Sequence, residues 1–105
     1  MEFVRVARIS EIPERKSKLV HVDDEPIALW RVGGRVYAIN NSCPHQHLGA
    51  LHQGTLDGLC VSCPMHGWTF SLETGASTFG GGRAKVYEVK IEGEHVLVEK
   101  PVSLW

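Results

Sequence analysis

The chain has 105 residues, 43% of them hydrophobic and 22% charged, enough for one globular domain with one modest core and too few for a second catalytic domain. Eleven Lys and Arg against twelve Asp and Glu leave a formal net charge of −1, which gives no basic footprint for nucleic acid and no polybasic membrane patch. No stretch approaches the ~18 apolar residues of a membrane span, and Met1-Glu2-Phe3-Val4-Arg5 lacks the charged-then-apolar pattern of a secretory signal, so the expected compartment is the cytoplasm.

In chain order, residues 2–8 alternate well enough for a first strand. Ser10-Glu11-Ile12-Pro13 reads as a short capped turn or a single helical turn. Lys18–Val22 and Pro26–Val32 read as strands joined by the acidic turn Asp23-Asp24-Glu25. Gly33-Gly34, between Ile27–Val32 and Arg35–Asn40, is a two-residue hairpin signal, because both central positions can take positive φ. Lys85–Glu92, Gly93-Glu94 and His95–Lys100 repeat that pattern, with Tyr87, Val89 and Ile91 on one face and Val96 and Val98 on another. The pattern is all-β and antiparallel.

Residues 41–84 differ from their flanks. They hold eight of the eleven glycines, all three cysteines (Cys43, Cys60, Cys63), and Pro44 and Pro64, each directly after a cysteine. Short strands are expected at Leu59–Ser62 and Trp68–Leu72. Loops so rich in glycine lose much entropy on ordering and bury little, so an external organiser such as a metal centre is expected. Three cysteines in a chain with no export signal do not make a disulfide scaffold, and His45 and His66 lie within three residues of cysteines.

The chemistry lies in Cys43-Pro44-His45 and Cys63-Pro64-Met65-His66, separated by the seventeen residues 46–62. Each half offers one thiolate and one imidazole. A structural Cys₂His₂ zinc site is the plain alternative. Zinc modules, however, pair like ligands as C-x₂₋₄-C and H-x₃₋₅-H, whereas here each half mixes the two. Spacing alone leaves His47 open as a ligand in place of His45.

This double motif resembles the Rieske [2Fe–2S] proteins, in which two cysteines hold one iron and two histidines the other. Cys63-Pro64-Met65-His66-Gly67-Trp68-Thr69-Phe70 is similar to that family's second cluster loop, Ser71-Leu72-Glu73-Thr74-Gly75 to its following turn, and Gly54 with Leu56-Asp57-Gly58 to its connecting hairpin. The similarity spans essentially the whole chain. It implies a single Rieske domain over residues 1–105, an antiparallel β-sandwich with a small loop-rich cluster-binding subdomain inserted at about 41–84. One [2Fe–2S] cluster would be held by Cys43 and Cys63 on the inner iron and by His45 and His66 on the outer, redox-active one, and His47 would sit at the rim. Phe79-Gly80-Gly81-Gly82 stands where the family places a third, covering loop.

The high-potential branch of the family carries two further cysteines, where this chain has Leu48 and Met65, and hydroxyl donors, where it has Trp68 and Phe70. The resemblance is therefore to soluble, low-potential ferredoxins, near the ~−150 mV end of the Rieske range. The implied function is one-electron transfer from a ferredoxin reductase to a terminal oxygenase, with no catalytic residue of its own. The alternative partner is the large subunit of an NADH-dependent nitrite reductase, and a cluster-based sensor is a third class. After residue 84 only His95 remains to serve a mononuclear iron site, and no G-x-S-x-G elbow or P-loop occurs. Cys60 is expected to pack as a small hydrophobe within Leu59-Cys60-Val61, Trp30, Tyr37, Trp68 and Phe70 as core, His52 as a solvated loop residue, and His21 and His95 at the surface.

Overall fold

The computed structural model describes residues 2–41, 51–64, 68–79 and 83–100. These form three antiparallel sheets. In the first, β1 (Phe3–Arg8) pairs with β11 (His95–Glu99), which pairs with β10 (Val89–Glu92). In the second, β2 (Ser17–Val22), β3 (Glu25–Val32), β4 (Arg35–Asn40) and β9 (Val86–Tyr87) are neighbours in that order. The third, between β4 and β9 in sequence, consists of β5 (Thr55–Asp57), β6 (Cys60–Ser62), β7 (Thr69–Ser71) and β8 (Ser77–Phe79). The all-β antiparallel expectation holds.

The turns follow from residues that tolerate positive φ. Gly33 and Gly34 sit at φ 62° and 79° and close the Val32–Arg35 pair. The Glu14 carboxylate accepts the N–H groups of both glycines, and these bonds, with that to Gly34 the stronger influence, hold its pKa below the ordinary carboxylate value. Asp23 and Asp24, at φ 49° and 69°, form the whole β2–β3 turn; Glu25 belongs to β3, paired with Val22. Short polar side chains accept this left-handed conformation better than other non-glycine residues do. The short capped helical turn expected at Ser10–Pro13 is a 3₁₀ helix that starts one residue earlier, Ile9–Glu11, capped where the Glu11 carboxylate accepts the Arg8 N–H at 2.7 Å.

β3 explains the layering. Its four central residues, Ile27 to Trp30, are all buried. Adjacent residues in a strand point to opposite faces, so this strand is covered on both sides. Ile27 and Leu29 join Val20, Val22, Val36, Ala38, Tyr87, Val96 and Val98 in one cluster, against the first sheet. Ala28 and Trp30 join Ile39, Leu51, Val61, Cys63, Phe70 and Leu72 in the other, against the third sheet. The second sheet is thus the middle layer.

One expected strand is divided. Lys85–Glu92 splits at Glu88 into β9, paired with β4 through Tyr87 and Val86, and β10, paired with β11 from Val89 onward. The Glu88 carbonyl accepts the Glu99 N–H at 2.9 Å where the chain passes between sheets. The change of sheet breaks the expected common face: Tyr87 is buried, whereas Ile91 is 44% exposed.

Candidate metal centre

The first sequence half-site lies between Asn41 and Leu51. Asn41 directly follows β4, and its carbonyl accepts the Leu51 N–H at 3.1 Å, closing the neck of segment 42–50. Leu51 opens a 3₁₀ turn, Leu51–Gln53, and is fully buried in the cluster shared by the second and third sheets. Gly54 then runs against β6. A Cβ on Gly54 would overlap the Ser62 carbonyl oxygen and reach Val61 Cγ2 at 2.8 Å, so only glycine permits this approach.

The second half-site begins at the far end of β6. Val61 points inward, and Cys63 follows at 2% exposure in the same cluster as Leu51, Trp30 and Phe70. The Cys63 N–H donates to the Trp68 carbonyl at 2.7 Å, which closes the neck of the segment holding residues 65–67. Behind it, Ser62 Oγ and Thr69 Oγ1 lie 3.0 Å apart across the β6–β7 pair. A third neck brackets residues 80–82: Ala76 bridges Arg83, and the Ala84 N–H donates to the Gly75 carbonyl at 2.8 Å. Gly75 is required there, at φ 79° with a Cβ that would overlap the Ala84 carbonyl.

Of the four expected ligands, Cys63 lies among the described residues, as a buried thiol outside any disulfide. Cys43, His45 and His66 lie outside the described residues, as do His47, Leu48, Met65 and Gly80 to Gly82. Among the described residues, no group of three or more His, Cys, Asp or Glu could hold a metal ion. Phe70 is fully buried and Trp68 packs half-buried against the cluster, as expected of core aromatics. Cys60 corrects its expectation. In β6 it is Val61 that faces the core, and Cys60 is only half-buried on the opposite face. His52 is not a solvated loop residue either: it is half-buried, and both its backbone N–H and its ring Nδ1 meet Asn41 Oδ1, at 2.6 and 3.0 Å. Asn41, at 1% exposure, is the buried polar residue of the described chain, and sequence reading missed it.

The donor chemistry suits an iron–sulfur centre. Cys63 would offer a soft sulfur donor, buried with Phe70, Leu51 and Val61. A family model for the Rieske [2Fe–2S] domain matches residues 2–88. The chain belongs to this family. The ferredoxin component of the naphthalene 1,2-dioxygenase system of Pseudomonas aeruginosa is 32% identical over 100 residues, covering 93% of this chain and 95% of that one. The solved ferredoxin of carbazole 1,9a-dioxygenase from Nocardioides aromaticivorans IC177 superposes with a TM-score of 0.89 at 30% identity, over 96% of this chain and all of that one. A chain in the complex of reduced oxygenase and oxidised ferredoxin in carbazole 1,9a-dioxygenase matches with a TM-score of 0.83 at 31% identity, over 96% of this chain and 97% of that one. The Rieske chain described here is accordingly an electron carrier of the ferredoxin type, its cofactor a Rieske [2Fe–2S] cluster, and not itself a catalytic subunit.

Proposed function

We propose that Cys43 and Cys63 hold the inner iron of this cluster and His45 and His66 the outer one, within a single domain over 1–105 whose cluster-binding part spans about 41–84. The observation that carries this is the shared burial of Leu51 and Cys63. Leu51 ends the segment bearing Cys43 and His45, Cys63 begins the one bearing His66, and Gly54 locks the first segment's exit against Ser62. Four donors from two segments can close on one centre only if the segments are held together in this way.

The bound cluster supplies a reversible one-electron couple. The chain's own residues set its terms. His45 and His66, as neutral imidazoles in place of thiolates, would leave less negative charge at the iron they hold and so favour its reduction. Leu51, Val61 and Phe70 keep water from Cys63. Phe70 has no hydroxyl to donate to sulfur, so the reduced state lacks that stabilisation and the potential stays near ~−150 mV.

The partners we propose are a ferredoxin reductase as donor and a terminal oxygenase as acceptor. Relatives at 30% identity or above that are named as ferredoxins of dioxygenase systems, the two described above among them, favour an oxygenase over a nitrite reductase large subunit. Among the described residues no helix is long and apolar enough to cross a membrane. The free thiol of Cys60 suits the reducing cytoplasm we propose as its compartment. In stopped flow, dithionite-reduced protein mixed with a purified ring-hydroxylating oxygenase should be reoxidised as one electron per molecule passes to the oxygenase. Transfer to a sirohaem reductase with none to the oxygenase would overturn the partner assignment.

A further inference from the structure

Asn41 stands at the neck of segment 42–50, and four hydrogen bonds converge on it. Its N–H donates to the Pro26 carbonyl at 2.9 Å and its carbonyl accepts the Leu51 N–H at 3.1 Å. Its side-chain Oδ1 accepts the His52 N–H at 2.6 Å and meets His52 Nδ1 at 3.0 Å. An amide oxygen has no hydrogen to give, so the imidazole donates and His52 carries a proton on Nδ1. The His52 carbonyl in turn accepts the Ser17 hydroxyl from β2. One continuous chain of bonds therefore runs from β2 through His52 and Asn41 to Pro26 at the start of β3. It ties the residues on either side of segment 42–50, Asn41 before it and Leu51 and His52 after it, to the middle sheet. The second neck has no equivalent need, because Cys63 is itself buried in the core.

We propose that Asn41 is a positioning residue for the first pair of cluster ligands, acting through His52 to fix the exit of the segment that carries Cys43 and His45. This rests on the ligand assignment above. A buried polar side chain with its acceptor fully used is costly to place and is retained where it specifies geometry. Partners hydrogen-bonded directly to metal ligands govern metal affinity about 10- to 100-fold; Asn41 acts one step further out, through the backbone, so the lower end of that range applies.

The test uses the cluster-loaded protein and three variants. Asn41→Leu keeps the branched side-chain shape and removes the acceptor. Asn41→Asp keeps the acceptor. His52→Phe keeps the backbone donor and a ring of similar size but removes the Nδ1–H donor. The readouts are the lifetime of the visible cluster absorbance under chelator challenge, the electron-paramagnetic-resonance line shape of the reduced protein, and the melting of the sheet signal in circular dichroism. Asn41→Leu should shorten the cluster lifetime about 10-fold or more and shift the line shape, and Asn41→Asp should restore both. His52→Phe should move them in the same direction as Asn41→Leu with the sheet melting unchanged. Unchanged lifetime and line shape in Asn41→Leu would overturn the proposal. So would an Asn41→Leu that fails to fold beside a His52→Phe indistinguishable from the parent protein. A parent protein with no mixed cysteine–histidine signal would instead remove the ligand assignment on which the proposal stands.

Discussion

The Tyr87 hydroxyl donates to the Glu25 carboxylate at 2.6 Å and accepts from the Asn40 amide at 3.0 Å, tying β9 to the start of β3. Burial, and then the bond to Glu25, push its ionisation well above the ordinary tyrosine value. Protonated Tyr87 is therefore favoured more by the folded state than by the unfolded one. Its contribution is complete below the unfolded value of about 10 and is lost as pH rises above it. Urea unfolding should show stability falling above about pH 10. In Tyr87→Phe that part of the fall should vanish, at a cost of about 1–2 kcal/mol at neutral pH; an alkaline profile identical to that of the parent protein would contradict this. At this scale the motif around Cys63 was legible, because its residues are neighbours in sequence. Asn41 was not, because in Ile39-Asn40-Asn41-Ser42 an asparagine reads as a turn residue, and its partner His52 lies eleven positions away.

Among the elements, hairpins signalled by two turn residues were readable. Gly33-Gly34 and Gly93-Glu94 close the expected pairs, because positive φ is a local demand. β5 was placed only by resemblance, within the connecting hairpin, and β8, next to the glycine run 80–82, was not read as a strand; nor was the switch of sheets at Glu88, which depends on distant partners. Glycines in the third sheet separate two physical causes. Gly58 has φ 62° and open space around a Cβ, so Gly58→Ala should cost about 1–2 kcal/mol through backbone strain alone. Gly54 meets the Ser62 carbonyl, which cannot turn aside, so Gly54→Ala should cost more, about 3 kcal/mol. Urea midpoints of the two variants check the order; a Gly54→Ala protein as stable as the parent would mean that this contact does not hold the first segment's exit to β6.

Over the whole molecule, a middle sheet covered on both faces supplies the floor, and the necks of the two segments proposed to carry the ligands, at Leu51 and Cys63, lie in the cluster on one side of it. The cluster of Trp30, Leu51, Cys63 and Phe70 joins that sheet to the third. The all-β class and the Cys–His grammar could be read from sequence because both are local patterns. The three-layer stacking could not, since it shows only as four consecutive buried residues in β3, a run that also suits a strand covered in other ways. The central claim is that two thiolates and two imidazoles from these segments share one pair of irons. Pulsed electron paramagnetic resonance on the dithionite-reduced protein tests it most directly. Couplings to two imidazole nitrogens should appear, the signal should be lost in His45→Ala and in His66→Ala, and it should persist in His47→Ala. A colourless protein holding a single zinc ion, or a cluster signal without nitrogen couplings, would contradict the account.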